Sequence, residues 1–135
     1  LDPTDVIVAV DVPVQRPGQF TEYRKFTGTL VEDWPLVSLC VDLYEDAGAI
    51  ARANVTVGAL GSTITRLPEV ESWLRGRTRT DLEPYLGDLL EFAGSQVEAK
   101  NDNLASAAYK RKVFQAELGR ALRAWIAAPG SETDQ

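Results

Sequence analysis

A change of hydrophobic period near Gly61 constrains this chain more than any other feature. Before it, apolar residues recur at every second position; after it, they recur every third and fourth. Val6, Val8, Val10 and Val12 alternate with other residues, which predicts a half-buried strand over 6–12, ended by Pro13, Pro17 and Gly18. Phe20 to Thr27 alternates again, with Phe20, Glu22, Arg24 and Phe26 on one side and Thr21, Tyr23, Lys25 and Thr27 on the other. After a loop over 28–34, Leu36 to Tyr44 puts Val37, Leu39, Val41 and Leu43 on one face and Ser38, Cys40 and Asp42 on the other. Glu45-Asp46-Ala47-Gly48 has hairpin composition, and Ala51 to Leu60 returns as a fourth strand.

Beyond Gly61 the pattern is helical. Pro68 suits a first helical position, Val70, Trp73 and Leu74 make a short apolar face, and Gly76 ends it. Thr80 is the expected cap of a second helix, whose apolar residues are Leu82, Tyr85, Leu86, Leu89, Leu90 and Ala93. Ser106 is the expected cap of a third, with a stripe of Phe114, Leu118, Ala121, Leu122 and Trp125. Strands followed by helices predict an α+β fold. An antiparallel sheet of about four strands within residues 6–60 is covered on one face by three helices within 67–127, a two-layer sandwich. Residues 1–135 form a single domain, and 129–135 read as a flexible polar tail.

Composition narrows the chemistry. The chain has no histidine and one cysteine, which excludes a Ser-His-Asp triad, a Cys-His pair, histidine-bound zinc, an internal disulfide and an iron–sulfur cluster held by this chain alone. No Gly-rich phosphate loop is present. A net charge of −6 with no dense basic run is ill-suited to nucleic acid. No apolar stretch approaches a membrane span, and a cytoplasmic location is expected. The start at Leu1-Asp2-Pro3 is expected to be a cut within a longer protein.

Three collinear stretches carry a family resemblance. Tyr23-Arg24-Lys25-Phe26-Thr27 with Asp33-Trp34-Pro35 is similar to a Tyr-x-Lys-Phe segment, a loop and an Asp-aromatic-Pro strand start. Val57-Gly58-Ala59, Thr65-Arg66 and Glu71-x-x-Leu74-x-Gly76 are similar to a Gly-Gly strand end and an Arg-Ala…Glu…Leu-x-Gly helix. Ser106-Ala107-Ala108-Tyr109-Lys110-Arg111 is similar to a Ser-Ala-Glu-Tyr-Arg-Arg helix start. Over about residues 5–125 the chain resembles the C-terminal domain of the FAD-carrying medium subunit of molybdenum hydroxylases, the xanthine dehydrogenase and carbon monoxide dehydrogenase family.

The resemblance implies a domain that closes over a flavin ring. Two upstream domains, not included here, hold most of the FAD, and molybdenum and iron–sulfur subunits deliver the electrons. Such a piece would have no activity alone and would bind little or no FAD. Lys25 matches the family lysine before the flavin-side loop, and an ammonium there would stabilise negative charge on the ring. The bland reading of Lys25 is a solvated strand lysine. Glu32 and Asp33 fall where the family loop passes the ring edge; the bland reading is a connector closed by Asp33.

Two departures qualify the match. Gly28-Thr29-Leu30 stand where the family often has arginines, and Leu104 replaces an arginine, so an ion pair at that corner is expected to be missing. The competing reading is a non-catalytic interaction domain that keeps the fold without touching flavin. Trp34 and Trp73 read as core or interface aromatics, and Cys40 as a buried inert thiol. Lys110, Arg111, Lys112, Arg120 and Arg123 read as a basic outer face of the last helix.

Overall fold

The computed structural model describes residues 2–28 and 34–129. Four strands form one antiparallel sheet in sequence order: β1 (Gln19–Thr27), β2 (Pro35–Asp46), β3 (Ala49–Gly58) and the two-residue β4 (Thr65–Arg66). Three helices follow: α1 (Pro68–Leu74), α2 (Arg79–Gln96) and α3 (Ala107–Ala127). The expected α+β two-layer fold is therefore present.

The sheet differs from expectation at both edges. The predicted strand over 6–12 does not form: Val6, Val8, Val10 and Val12 are 77–92% exposed and pair with no strand among the described residues. Alternation records two faces but not a partner, and the described residues supply none for that segment. The fourth strand is instead β4, at the opposite edge.

Strand β2 organises the domain. Val37, Leu39, Val41 and Leu43 are fully buried against the helices, whereas Ser38, Cys40, Asp42 and Tyr44 alternate onto the other side. The β2–β3 link turns on Ala47 (φ 49°) and Gly48 (φ 79°), positive at both central positions as a two-residue type I′ turn requires. Gly18 (φ 77°) starts β1; an added Cβ would lie 2.7 Å from the Glu45 carbonyl oxygen.

Helix α3 lies on β1 and β2, α1 on β3, and α2 against both other helices. All five residues of the predicted α3 stripe are buried. Ser106 caps that helix, accepting from the Tyr109 N–H at 3.2 Å. The α2 cap is Thr78, not Thr80: Thr78 and Asp81 form a reciprocal capping box. Tyr85, placed on the apolar face of α2 from spacing, is 51% exposed.

Buried charges tie the layers together. Glu71 of α1 accepts the Val55 N–H of β3 at 2.9 Å and Arg66 Nε at 2.6 Å, standing in for ladder partners that the short β4 does not supply. Arg24 Nε donates to Glu117 at 2.6 Å, joining β1 to α3. Arg79 pairs with Glu45 at 2.8 Å, lies 4.8 Å from the Trp125 ring centre, and donates to the Trp125 and Ala128 carbonyls that end α3.

Lys110, expected on an outer face, is buried. Its ammonium pairs with Asp102 and donates to the Ala59 carbonyl at 3.2 Å. The corner expected to lack an ion pair thus has one, supplied from α3 in place of the absent arginine. Lys112, Arg120 and Arg123 remain exposed, so the basic face is smaller than the sequence suggests.

Two outcomes follow for stability. Glu71→Ala orphans the buried Val55 amide, while its exposed Arg66 partner is screened by solvent, so urea unfolding should show a loss of about 1–3 kcal/mol. The hydrogen bond and charge from Lys110, with backbone N–H groups of Ala105 and Leu104, hold the Asp102 carboxyl below the usual carboxylate range against the opposing effect of burial. A depressed folded-state pKa contributes stability above the unfolded value near 3.9, lost as pH falls through the folded value. Acid titration of unfolding should therefore show a shallower loss below about pH 4 in Asp102→Asn than in the parent chain.

Candidate functional site on the open sheet face

Because the helices cover one side of the sheet, the other side forms an open face. Gln19, Thr21, Tyr23 and Lys25 of β1 lie there, beside Tyr44, Asp42, Cys40 and Ser38 of β2. Arg52, Asn54, Thr56 and Gly58 of β3 continue the rows. The β2 side chains on this side are only half-buried, and no helix is laid over them.

Lys25 is exposed at one end of this face. Its row runs across the sheet as Lys25, Ser38 and Gly58. Gly58 keeps the row low: an added Cβ would meet Ser38 Oγ at 2.6 Å and Ile64 Cγ1 at 3.4 Å. Exposed apolar groups gather at the same end, namely Tyr23 at 64%, Ile64 at 76% and Trp34 at 75%. Trp34 adjoins Pro35, whose register partner is Thr27. This end can offer an ammonium, a hydroxyl and a shallow floor flanked by aromatic surface. Glu32 and Asp33, the other two predicted contacts, lie outside the described residues.

The opposite end is a polar cluster. Asp42 accepts from Gln19 Nε2 at 2.6 Å, Thr21 Oγ1 at 2.9 Å and Asn54 Nδ2 at 3.0 Å, and Arg52 stands 3.8 Å away. Burial alone would raise its pKa, but these donors outweigh burial and hold the carboxyl below its usual range. Residues 12–16 flank the same cluster, enclosing with it a hollow of about 530 Å³. The segment preceding β1 therefore approaches the sheet from its open side. Alternation alone predicts a half-buried strand over 6–12.

Other candidates take ordinary roles. Cys40 is half-buried on the open face rather than in the core; burial and the nearby Asp42 charge raise its pKa, so the thiol stays protonated and weakly nucleophilic. Trp73 stacks under Arg77, 4.7 Å from its ring centre. On the helix side, a cavity of about 320 Å³ opens between Ser62, Thr65, Gln96 and Lys100. Among the described residues, no group of three or more acidic or cysteine side chains converges to hold a metal. No described helix is long and apolar enough to cross a membrane.

Comparison with solved structures gives the fold a setting. Carbon monoxide dehydrogenase from Hydrogenophaga pseudoflava superposes with a TM-score of 0.74 at 21% identity, over 87% of this chain and 40% of that one. Reconstituted CO dehydrogenase from Oligotropha carboxidovorans gives 0.72 at 21%, over 87% and 40%. Quinoline 2-oxidoreductase from Pseudomonas putida 86 gives 0.67 at 17%, over 82% and 38%. The chain thus spans about two-fifths of the length of these solved relatives. A search of curated proteins finds no match. The family model described as the CO dehydrogenase flavoprotein C-terminal domain matches residues 15–125, from the turn before β1 to the last turn of α3. That match takes in every strand and helix of the fold, and the chain belongs to the CO dehydrogenase flavoprotein C-terminal domain family of the molybdenum hydroxylases.

Proposed function

We propose that this domain covers the flavin ring in the FAD subunit of a molybdenum hydroxylase-type oxidoreductase, with Lys25 at the ring edge. The observation that carries the reading is the uncovered sheet face, with Lys25 exposed at one end beside the flat Ser38–Gly58 row. FAD in the complete subunit would supply the electron-accepting chemistry. The residues at the Lys25 end fit such a group: a cation answers negative charge on the ring edge, and Gly58 allows close approach. Glu32 and Asp33 belong to the same proposed edge through the loop that joins β1 to β2.

In this reading the chain's own contribution is electrostatic and steric. The ammonium of Lys25 stabilises charge in a partly dry site, and Tyr23, Ile64 and Trp34 exclude water around it. Molybdenum and iron–sulfur subunits deliver electrons to the complete protein in the cytoplasm, and the remaining domains of the FAD subunit hold the rest of the cofactor. The isolated chain is expected to have no activity and to bind little or no FAD. The rival reading, an interaction domain without flavin contact, draws on Gly28-Thr29-Leu30 in place of loop arginines.

The complete subunit separates them. With flavin bound, Lys25→Ala removes a charged contact worth about 1.5–3 kcal/mol and should lower the flavin midpoint potential by about 30–65 mV, whereas Lys25→Arg should keep most of it. An unchanged potential in Lys25→Ala would assign this lysine to solvent. A full-length subunit that purifies without flavin absorbance would favour the interaction domain.

A further inference from the structure

Residues 6–12 have the sequence of a strand and the surroundings of none. Val6-Ile7-Val8-Ala9-Val10 is apolar on both alternating faces, the pattern of a strand covered on both sides rather than one lying on a wet surface. In the structure Val6, Ile7, Val8, Val10 and Val12 are 65–92% exposed. Among the described residues, no hydrogen bond is made by the backbone of residues 6–14. A run of this length, bare of both apolar and hydrogen-bonding partners, is a strand awaiting a sheet.

The domain itself does not provide that sheet. Among the described residues β1 pairs only with β2, leaving its outer edge available, yet the segment does not fold back onto it. The family match begins at residue 15, so residues 6–12 precede the matched range, and the family is by description a C-terminal one. About three-fifths of each solved relative's chain lies outside the part this chain covers.

We infer that residues 6–12 form a β-strand added to the edge of a sheet in the N-terminal part of the same subunit. That edge must be flanked by apolar side chains on both faces, to receive Val6, Val8 and Val10 on one and Ile7 and Ala9 on the other. Covalent continuity favours this occupant over a second copy, because a partner encoded just upstream is held at high effective concentration. Residues 12–16 lie beside the open-face residues Gln19, Asp42 and Arg52, so the paired strand would bring its sheet to the uncovered side of this domain. The inference needs no flavin and stands apart from the role given to Lys25.

Hydrogen exchange in the complete subunit tests it. Amides of residues 6–12 should exchange at least about 100-fold more slowly than an unstructured chain, and tenfold dilution should leave that protection unchanged. Exchange at the unstructured rate would overturn the inference, and protection lost on dilution would overturn it in favour of a second copy. Ala9→Pro removes a ladder donor, so it should release the segment while β2 amides stay slow. Protection of residues 6–12 retained in that variant would also overturn it. If Ala9→Pro does not fold, the parent subunit's exchange and dilution data decide alone. Flavin absorbance, read separately, keeps failure here distinct from failure of the ring-covering role.

Discussion

A single strand with two unlike faces determines what this domain can be. Strand β2 turns Val37, Leu39, Val41 and Leu43 into the core and Ser38, Cys40, Asp42 and Tyr44 away from it. Burying four such side chains contributes on the order of 6–12 kcal/mol, which a one-residue slip would forfeit by turning all four to the open side. The three helices can therefore gather on one side only. The other side stays half-wet, broad and shallow, and it is the surface left to meet another body.

Charge is used inside this fold as a fastener where secondary structure runs short. β4 has two residues and leaves part of the β3 edge without a ladder, and Glu71 reaches that edge from α1. The end of α3 leaves carbonyls without helical partners, and Arg79 meets two of them while pairing with Glu45. Lys110 closes the corner where the bend after β3 meets the turn at Asp102. In each case the charged group satisfies backbone atoms as well as its counter-ion. Breaking one partner alone is costly for that reason.

Much of this was legible in the sequence, and the misses have physical causes. Alternation placed β2 and its faces, and Ala47-Gly48 identified the hairpin turn. The same alternation misplaced residues 6–12, because period two is a property of a strand and its two environments, whoever supplies them. The burial of Glu71 and Lys110 is not legible in the sequence, because a charged side chain is ordinarily solvated and only the three-dimensional partners make its burial tolerable. The Thr78 cap was readable, since Thr78-x-x-Asp81 is a capping-box spacing one register earlier than the Thr80 expectation. Of the proposed flavin-edge residues, the sheet register places Lys25; Glu32 and Asp33 fall outside the described residues.

The two proposals meet on geometry. Gln19 and Lys25 stand at opposite ends of one β1 face, six residues apart and so roughly 20 Å along the strand. The segment before β1 arrives at the Gln19 end, beside an Asp42 carboxylate already satisfied by three donors and Arg52. Gln19, Thr21 and Asn54 already donate to that carboxylate. The other end of the face carries Lys25 and Tyr23 on β1 and Ile64 across the sheet beside Gly58; Tyr23, Ile64 and the nearby Trp34 are all more than 60% exposed. A body tethered at the first end and laid along the open face would cover those side chains at the second. In the proposed reading the first end fixes the approach and the second meets the ring, with the polar row between them setting the register of contact.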